Sequence, residues 1–199
     1  PTRSTSLPAT MRPPAGAPPN RAVDIPRGAD PALVAAIEDA ILVAAPGVAW
    51  DDVAALDDVK RTLHEAAVLP LIMPHLFTGV RRPWRGVLLF GPPGTGKTML
   101  AKAVATCSKR TFFNVSAASI LSRFLGESEK LVKTLFLVAR QRAPSVIFID
   151  EVDALMKQRG ESNEHEASRR VKTELLQLMD GLTTEDTKHV LVLAATNRP

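Results

Sequence analysis

Gly91-Pro92-Pro93-Gly94-Thr95-Gly96-Lys97-Thr98 stands between the apolar run Gly86 to Phe90 and the stretch Lys97 to Cys107, which reads as a helix. The octapeptide fits G-x-x-x-x-G-K-[ST], in the strand-to-helix position its chemistry requires. Glycines let the backbone curl so that several N–H groups point inward at phosphate oxygens, and the helix start adds the positive end of its dipole. On this reading Lys97 reaches the β- and γ-phosphates and the Thr98 hydroxyl is a magnesium ligand.

Outward from this loop, three further apolar runs, Thr111 to Val115, Ser145 to Asp150 and His189 to Ala195, read as buried strands. The stretches Ser128 to Arg142 and His165 to Asp180 read as helices; Val171, Leu175 and Leu178 line one side of the second, and Gly181 is its stop. Alternating strand and helix predicts an α/β fold, a parallel sheet with helices on both faces. Upstream, Asp30-Pro31 reads as an N-cap followed by proline at the first helical position. The stripe Leu33, Ile37 and Ile41 extends that helix to Pro46-Gly47. A second helix is expected from Asp57 to Leu69, with Val59, Leu63 and Ala67 on one face and Pro70 stopping it.

The bulk composition sets bounds on the class. The 199 residues are 45% apolar and 23% charged, enough for one domain with a sizeable core. The net charge of +4 is compatible with an acidic polymer as partner but is common without one. Half of the sixteen prolines lie within residues 1 to 31, among Ser, Thr, Gly and Ala with almost no large apolar side chains. Residues 1–29 therefore read as a disordered Pro-rich linker. Arg3, Arg12, Arg21 and Arg27 within it either solvate the segment or hold an acidic surface. The lone Cys107 allows no internal disulfide, and no run approaches the length of a membrane span or signal peptide, which predicts a reducing, cytoplasmic setting. Cys107 has no His or Asp nearby in sequence and reads as a small packing residue.

Val146-Ile147-Phe148-Ile149-Asp150-Glu151 is the second chemical element, an apolar strand that ends in two adjacent carboxylates. Parallel α/β sheets bind ligands at that end of their strands. Asp150 there would hold magnesium through its water shell, and Glu151 would orient, or take a proton from, a water attacking the γ-phosphate. The last strand leads to Thr196-Asn197 at the same rim. Asn197 either hydrogen-bonds the γ-phosphate or attacking water or simply turns the chain.

In order and spacing, GPPGTGKT at 91–98, FIDE at 148–151 and AATNRP at 194–199 resemble the Walker A, Walker B and sensor-1 elements of AAA ATPases. The resemblance covers residues 33 to 199. Arg82-Pro83-Trp84-Arg85-Gly86 and Gly126-Glu127-Ser128-Glu129-Lys130 resemble the meiotic clade of that family. Glu164 to Lys172 and Phe112-Phe113-Asn114-Val115-Ser116 look most like its katanin group, whose members sever microtubules.

This resemblance implies a P-loop NTPase fold over residues 30–199, the large AAA subdomain. It also implies that the family pattern runs on past Pro199 through a fifth strand beside the first, arginine fingers, a small helical domain and a second sensor. ATP with Mg2+ would be gripped by Gly91 to Thr98 and by Met99, with the backbone around Asp52 and Ala54 of Trp50-Asp51-Asp52-Val53-Ala54 reading the adenine edge. Lys97, Asp150, Glu151 and Asn197 would serve catalysis, and Thr98 and Asp150 the metal. Arg123-Phe124-Leu125-Gly126 would be the first pore loop of a homo-hexamer. The family usually has lysine and a tyrosine or tryptophan there, so charge and aromaticity survive in Arg123 and Phe124 but the aromatic hydrogen-bonding group does not. A core position is the ordinary reading of such a phenylalanine, but Gly126 and the charged residues after it argue that Phe124 stands at a loop tip; Arg159 to His165, the implied second pore loop, could equally be an ordinary solvated loop. The implied partner is the glutamate-rich tubulin tail, with a cytoskeletal location and no role for nucleic acid or a transmembrane segment. Two other readings remain: a cousin that disassembles ESCRT filaments, which fits Pro74 to Gly79 and Phe124-Leu125-Gly126-Glu127 but not Asp180-Gly181 or Asn197-Arg198-Pro199, and a nucleotide-binding module without catalysis, which Glu151 argues against.

Overall fold

Val146, Ile147, Phe148 and Ile149 alternate between two hydrophobic clusters, one on each side of a sheet, and all four are buried. A strand apolar on both sides can only sit in the middle of a covered sheet. The computed structural model describes residues 25–40, 42–43, 46–78, 81–123, 127–155, 164–182 and 190–198. Its strands are β1 (Leu42–Val43), β2 (Gly86–Phe90), β3 (Thr111–Ser116), β4 (Ser145–Asp150) and β5 (Val190–Thr196), in the sheet order β1-β3-β4-β5-β2. β2 to β5 run parallel, and β1 pairs antiparallel with β3 through Leu42 opposite Phe113 and Val43 opposite Phe112. The four-strand parallel sheet is the one expected from the sequence. β1 is the addition.

The helices are α1 (Pro31–Ala40), α2 (Asp57–Ala67), α3 (Leu69–Ile72), α4 (Lys97–Cys107), α5 (Ala117–Arg123), α6 (Ser128–Gln141) and α7 (Glu164–Asp180). Leu33 and Ile37 of α1, Leu131 and Leu135 of α6, and Val171 and Leu175 of α7 join Ile147 and Ile149 on one face. Leu63 and Ala67 of α2 and Leu100 and Val104 of α4 join Val146 and Phe148 on the other. The rings of Phe112 and Phe148 stack there with centroids 6.0 Å apart. The expected helix-sheet-helix layering is thus present.

Three expectations need correction. Asp30 does cap α1, its Oδ1 accepting the Ala32 N–H at 2.9 Å. That helix nevertheless ends at Ala40 rather than running to Pro46, because the β-branched and apolar residues after it pair with β3 as β1. Pro70 does not stop a helix at Leu69: α2 ends at Ala67, and Pro70 sits in the first turn of α3, where no backbone donor is required of it. Cys107 is exposed rather than packed, because α4 ends there and the chain turns away through Lys109 at φ 50. The expected linker lies outside the described residues except for 25–29.

Arg110, just before β3, is buried and ties two layers together. Its Nη1 donates to the Ser145 carbonyl at 3.1 Å and its Nη2 to the Ala67 carbonyl at 2.9 Å. The second bond satisfies a carbonyl at the C-terminus of α2, where a cation is favoured by the helix dipole. Burial lowers the guanidinium pKa from its ordinary value to about 10.

Candidate functional site

Strand register brings the candidate residues to one rim. Phe90 lies opposite Thr196 and Ser116 opposite Asp150, so the positions immediately beyond them, Gly91, Asn197 and Glu151, emerge together at the C-terminal edge of the parallel strands. In such a sheet this edge is where ligands bind.

The loop from Gly91 to Thr98 turns between β2 and α4 as the sequence predicts. Gly96 has φ 84 and stands at the N-cap of α4, and Gly94 has φ 78. A Cβ at either would meet nothing within 4 Å, so it is the left-handed backbone, not lack of room, that calls for glycine. Lys97 Nζ donates to the carbonyls of Gly91 at 2.8 Å and Pro92 at 2.9 Å, and the Thr95 hydroxyl donates to Pro92 O at 2.9 Å. The lysine thus closes the loop on itself, its ammonium among carbonyl oxygens that an anion could replace. Pro92, Pro93 and Met99 are exposed along the same loop and helix start.

Thr98 points its hydroxyl at Asp150, with Oγ1 3.4 Å from Oδ2. Asp150 is half-buried at the end of β4, and its Oδ1 accepts the Glu151 N–H at 2.9 Å. Glu151 holds φ 53, a conformation that costs a non-glycine residue of order 1 kcal/mol and is kept only where the surroundings impose it. Here the following single helical turn, Val152–Leu155, imposes it, with the Ala154 N–H donating to the Glu151 carbonyl at 2.8 Å. The strained backbone leaves the Glu151 side chain exposed at the rim. Among the described residues no group of three or more His, Cys, Asp or Glu could hold a metal by itself. One hydroxyl and one carboxylate side by side do fit Mg2+, which keeps water and takes its remaining ligands from phosphate oxygens.

The segment Trp50 to Ala54, which sequence periodicity leaves as a linker, is ordered. Trp50–Asp52 forms a helical turn, the Asp52 carboxylate accepts the Ala49 N–H at 2.7 Å, and Lys60 Nζ donates to Val53 O at 2.5 Å. Val53 is buried in the same cluster as Leu100 and Ala101 of α4. The turn is therefore pinned against the helix that starts at the phosphate loop, while Asp52 and Ala54 stay exposed. Arg123 closes α5; Phe124 and Leu125, with Gly126, lie outside the described residues, as do residues 159–163.

Two rim residues escape a reading by motif. Ser116 extends β3 to pair with Asp150, where the sequence reading stopped the strand at Val115. Asp153 accepts the Thr196 hydroxyl at 3.1 Å, linking the turn after β4 to the end of β5. The signal for Ser116 was a polar residue just past an apolar run, at the same rim as the phosphate loop; Asp153 carries no such signal.

Comparison with known proteins places the chain. The model of the ATPase family associated with various cellular activities (AAA) matches residues 87–199. The katanin p60 ATPase-containing subunit A1 of Arabidopsis thaliana is 60% identical over 178 residues, which are 86% of this chain and 34% of that protein. The crystal structure of the FIGL-1 AAA domain in complex with ADP superposes with a TM-score of 0.73 at 49% identity, covering 85% of this chain and 56% of that one. A structure reported as the structural basis for katanin self-assembly gives a TM-score of 0.68 at 45% identity, over 84% of this chain and 53% of that one. The chain spans 34 to 36% of the length of the curated relatives it matches.

Proposed function

The chain belongs to the AAA ATPase family, and from that premise we propose that residues 30–199 are the nucleotide-binding large subdomain of an ATP-hydrolysing motor that severs microtubules. The observation that carries the nucleotide reading is the convergence of Lys97, Thr98 and Asp150, with Thr98 Oγ1 3.4 Å from Asp150 Oδ2 beside a glycine-rich loop at a helix start.

In this reading the phosphates of ATP settle against the loop amides of Gly91 to Thr98 and the start of α4 at Met99, and Lys97 exchanges the Gly91 and Pro92 carbonyls for β- and γ-phosphate oxygens. Thr98 and Asp150 hold Mg2+, which when bound neutralises charge on the phosphates. Glu151 orients a water and takes its proton as the water oxygen attacks the γ-phosphorus and the bond to the β-phosphate's bridging oxygen breaks, leaving ADP and phosphate. Asn197 hydrogen-bonds the γ-phosphate, and the backbone at Asp52 and Ala54 meets the adenine edge. An arginine finger from a neighbouring subunit adds about 10³ to 10⁵ in rate.

The severing reading rests on the 60% identity to a katanin subunit and on Arg123, Phe124 and Leu125 as a pore loop of a homo-hexamer that draws in acidic tubulin tails. The test is labelled microtubules with ATP, intact or stripped of their tails, incubated with the full-length protein. Fragmentation of intact microtubules alone is expected. ATP turnover with no fragmentation of either would remove the severing reading and leave the ATPase; no Mg2+-dependent nucleotide binding would remove both.

A further inference from the structure

Asp153 lies three residues past Asp150, in the single turn Val152–Leu155, and its carboxylate crosses to the end of β5. Oδ1 accepts the Thr196 hydroxyl at 3.1 Å and Oδ2 lies 3.8 Å from Arg198 Nε. The Thr196 oxygen accepts the Arg198 N–H in turn, also at 3.1 Å. Residues on both sides of Asn197 are therefore fixed to one carboxylate, while the Asn197 side chain makes no hydrogen bond among the described residues and is exposed at the rim.

Thr196 is buried at 7% exposure, so its hydroxyl needs an acceptor within the fold, and Asp153 supplies it. Arg198 is 72% exposed in its side chain, and an ion pair that open to water contributes little to stability. What the pair can do is fix direction. The turn that carries Asp153 is also the turn whose Ala154 N–H holds Glu151 in its left-handed conformation. One short turn thus sets Glu151 through its backbone and the Asn197 segment through the Asp153 side chain.

We infer that Asp153 is a positioning residue of the nucleotide site, holding Asn197 where it meets the γ-phosphate; the inference rests on the function proposed above. A site whose polar contacts are held by a supporting layer loses discrimination when that layer is cut, even if the fold survives. Removal of Asp153 then acts on the nucleotide with three phosphates and spares the one with two, because ADP offers Asn197 nothing to hold.

The experiment measures the affinity of the full chain for a non-hydrolysable ATP analogue and for ADP, both with Mg2+, in the wild type, Asp153→Ala, Asp153→Asn, Thr196→Val, Asn197→Ala and the Asp153→Ala/Asn197→Ala double variant. Thermal unfolding of each runs alongside. Asp153→Ala and Asn197→Ala are each expected to lose about three- to tenfold in preference for the analogue over ADP, with ADP affinity within about twofold of wild type. The double variant loses no more than the larger single one, since both cut the same contact. Asp153→Asn keeps an oxygen for Thr196 and is expected to retain most of the preference. Thr196→Val, which preserves volume without the hydroxyl, reproduces the loss should Asp153→Ala fail to fold. Unchanged preference in Asp153→Ala and Thr196→Val, parallel losses for both nucleotides, or additive losses in the double variant would each overturn the inference and leave the proposed function standing. A wild-type chain that binds neither nucleotide overturns the proposed function, and this inference with it.

Discussion

The Thr98 hydroxyl lies 3.4 Å from Oδ2 of Asp150, two residues that stand 52 positions apart in sequence and meet because the loop after β2 brings the start of α4 beside the end of β4. The pair carries one carboxylate, too little to hold a divalent cation without help from a ligand's oxygens. Thr98→Val and Asp150→Ala are each expected to weaken Mg2+-nucleotide binding by about tenfold while leaving binding in EDTA unchanged. Calorimetric titration with and without the metal separates the two. A variant that weakens binding equally in both would sink the metal assignment.

Lys97 spends its ammonium on the carbonyls of Gly91 and Pro92. Those bonds are partly open to water and contribute little to the fold, whereas charge-assisted bonds to phosphate are worth about 1.5–3 kcal/mol. Lys97→Ala is therefore expected to lower ATP affinity by about tenfold or more and to move the melting temperature little. Retained affinity would mean that the loop does not grip phosphate through this side chain.

Glu151 pairs a strained backbone with a catalytic candidate, and two substitutions separate the two roles. Glu151→Gln keeps the size and loses the base, so hydrolysis is expected to fall by about 10² to 10⁴ with nucleotide affinity preserved. Glu151→Gly relieves φ 53 and is expected to raise stability by up to about 1 kcal/mol in denaturant unfolding while also abolishing turnover. A glycine variant that is markedly less stable would show that the side chain, not the turn, holds this conformation.

Arg110 is a structural counterpart, with its guanidinium on the carbonyls of Ala67 and Ser145. Arg110→Met leaves these acceptors without that partner and is expected to cost about 2 kcal/mol in urea unfolding; Arg110→Lys restores little, because a point charge does not span two carbonyls. Burial lowers the folded pKa to about 10, below its ordinary value. For a base shifted in that direction the desolvation penalty is constant below about pH 10 and is relieved only as pH rises through that value. Stability between pH 6 and 8 should accordingly show no step that disappears in Arg110→Met.

The parallel sheet and the phosphate loop were legible in the sequence because their signals are local: apolar runs of strand length, alternating with amphipathic stretches, and glycines at fixed spacing. α4 and β4 match their expected bounds to the residue. What escaped reading depends on partners distant in the chain. Leu42 and Val43 become a strand only because Phe112 and Phe113 offer an edge. Trp50–Asp52 is ordered because Val53 finds the α4 cluster and Lys60 returns to its carbonyl. Pro70 reads as a stop in isolation and is a helix start in context. Asp153 carries no motif, and its role emerges only when the turn after β4 meets the end of β5.

β2 pairs only with β5 among the described residues, and its Leu88 and Phe90 are 57% and 69% exposed. An apolar strand that leaves large side chains in water can take up another chain, and a lysine placed on it opposes that through charge and hydration. Leu88→Lys is expected to reduce concentration-dependent self-association of the chain in sedimentation, with folding stability changed by no more than about 0.5 kcal/mol because the site is already mostly in water. Phe90 is the more exposed of the two, but it adjoins Gly91, and a charge there would disturb the phosphate loop as well as the strand. Leu88 is three residues from the loop, so nucleotide affinity should be unaffected by its substitution. Self-association that persists unchanged in Leu88→Lys would show that the chains meet through some other surface.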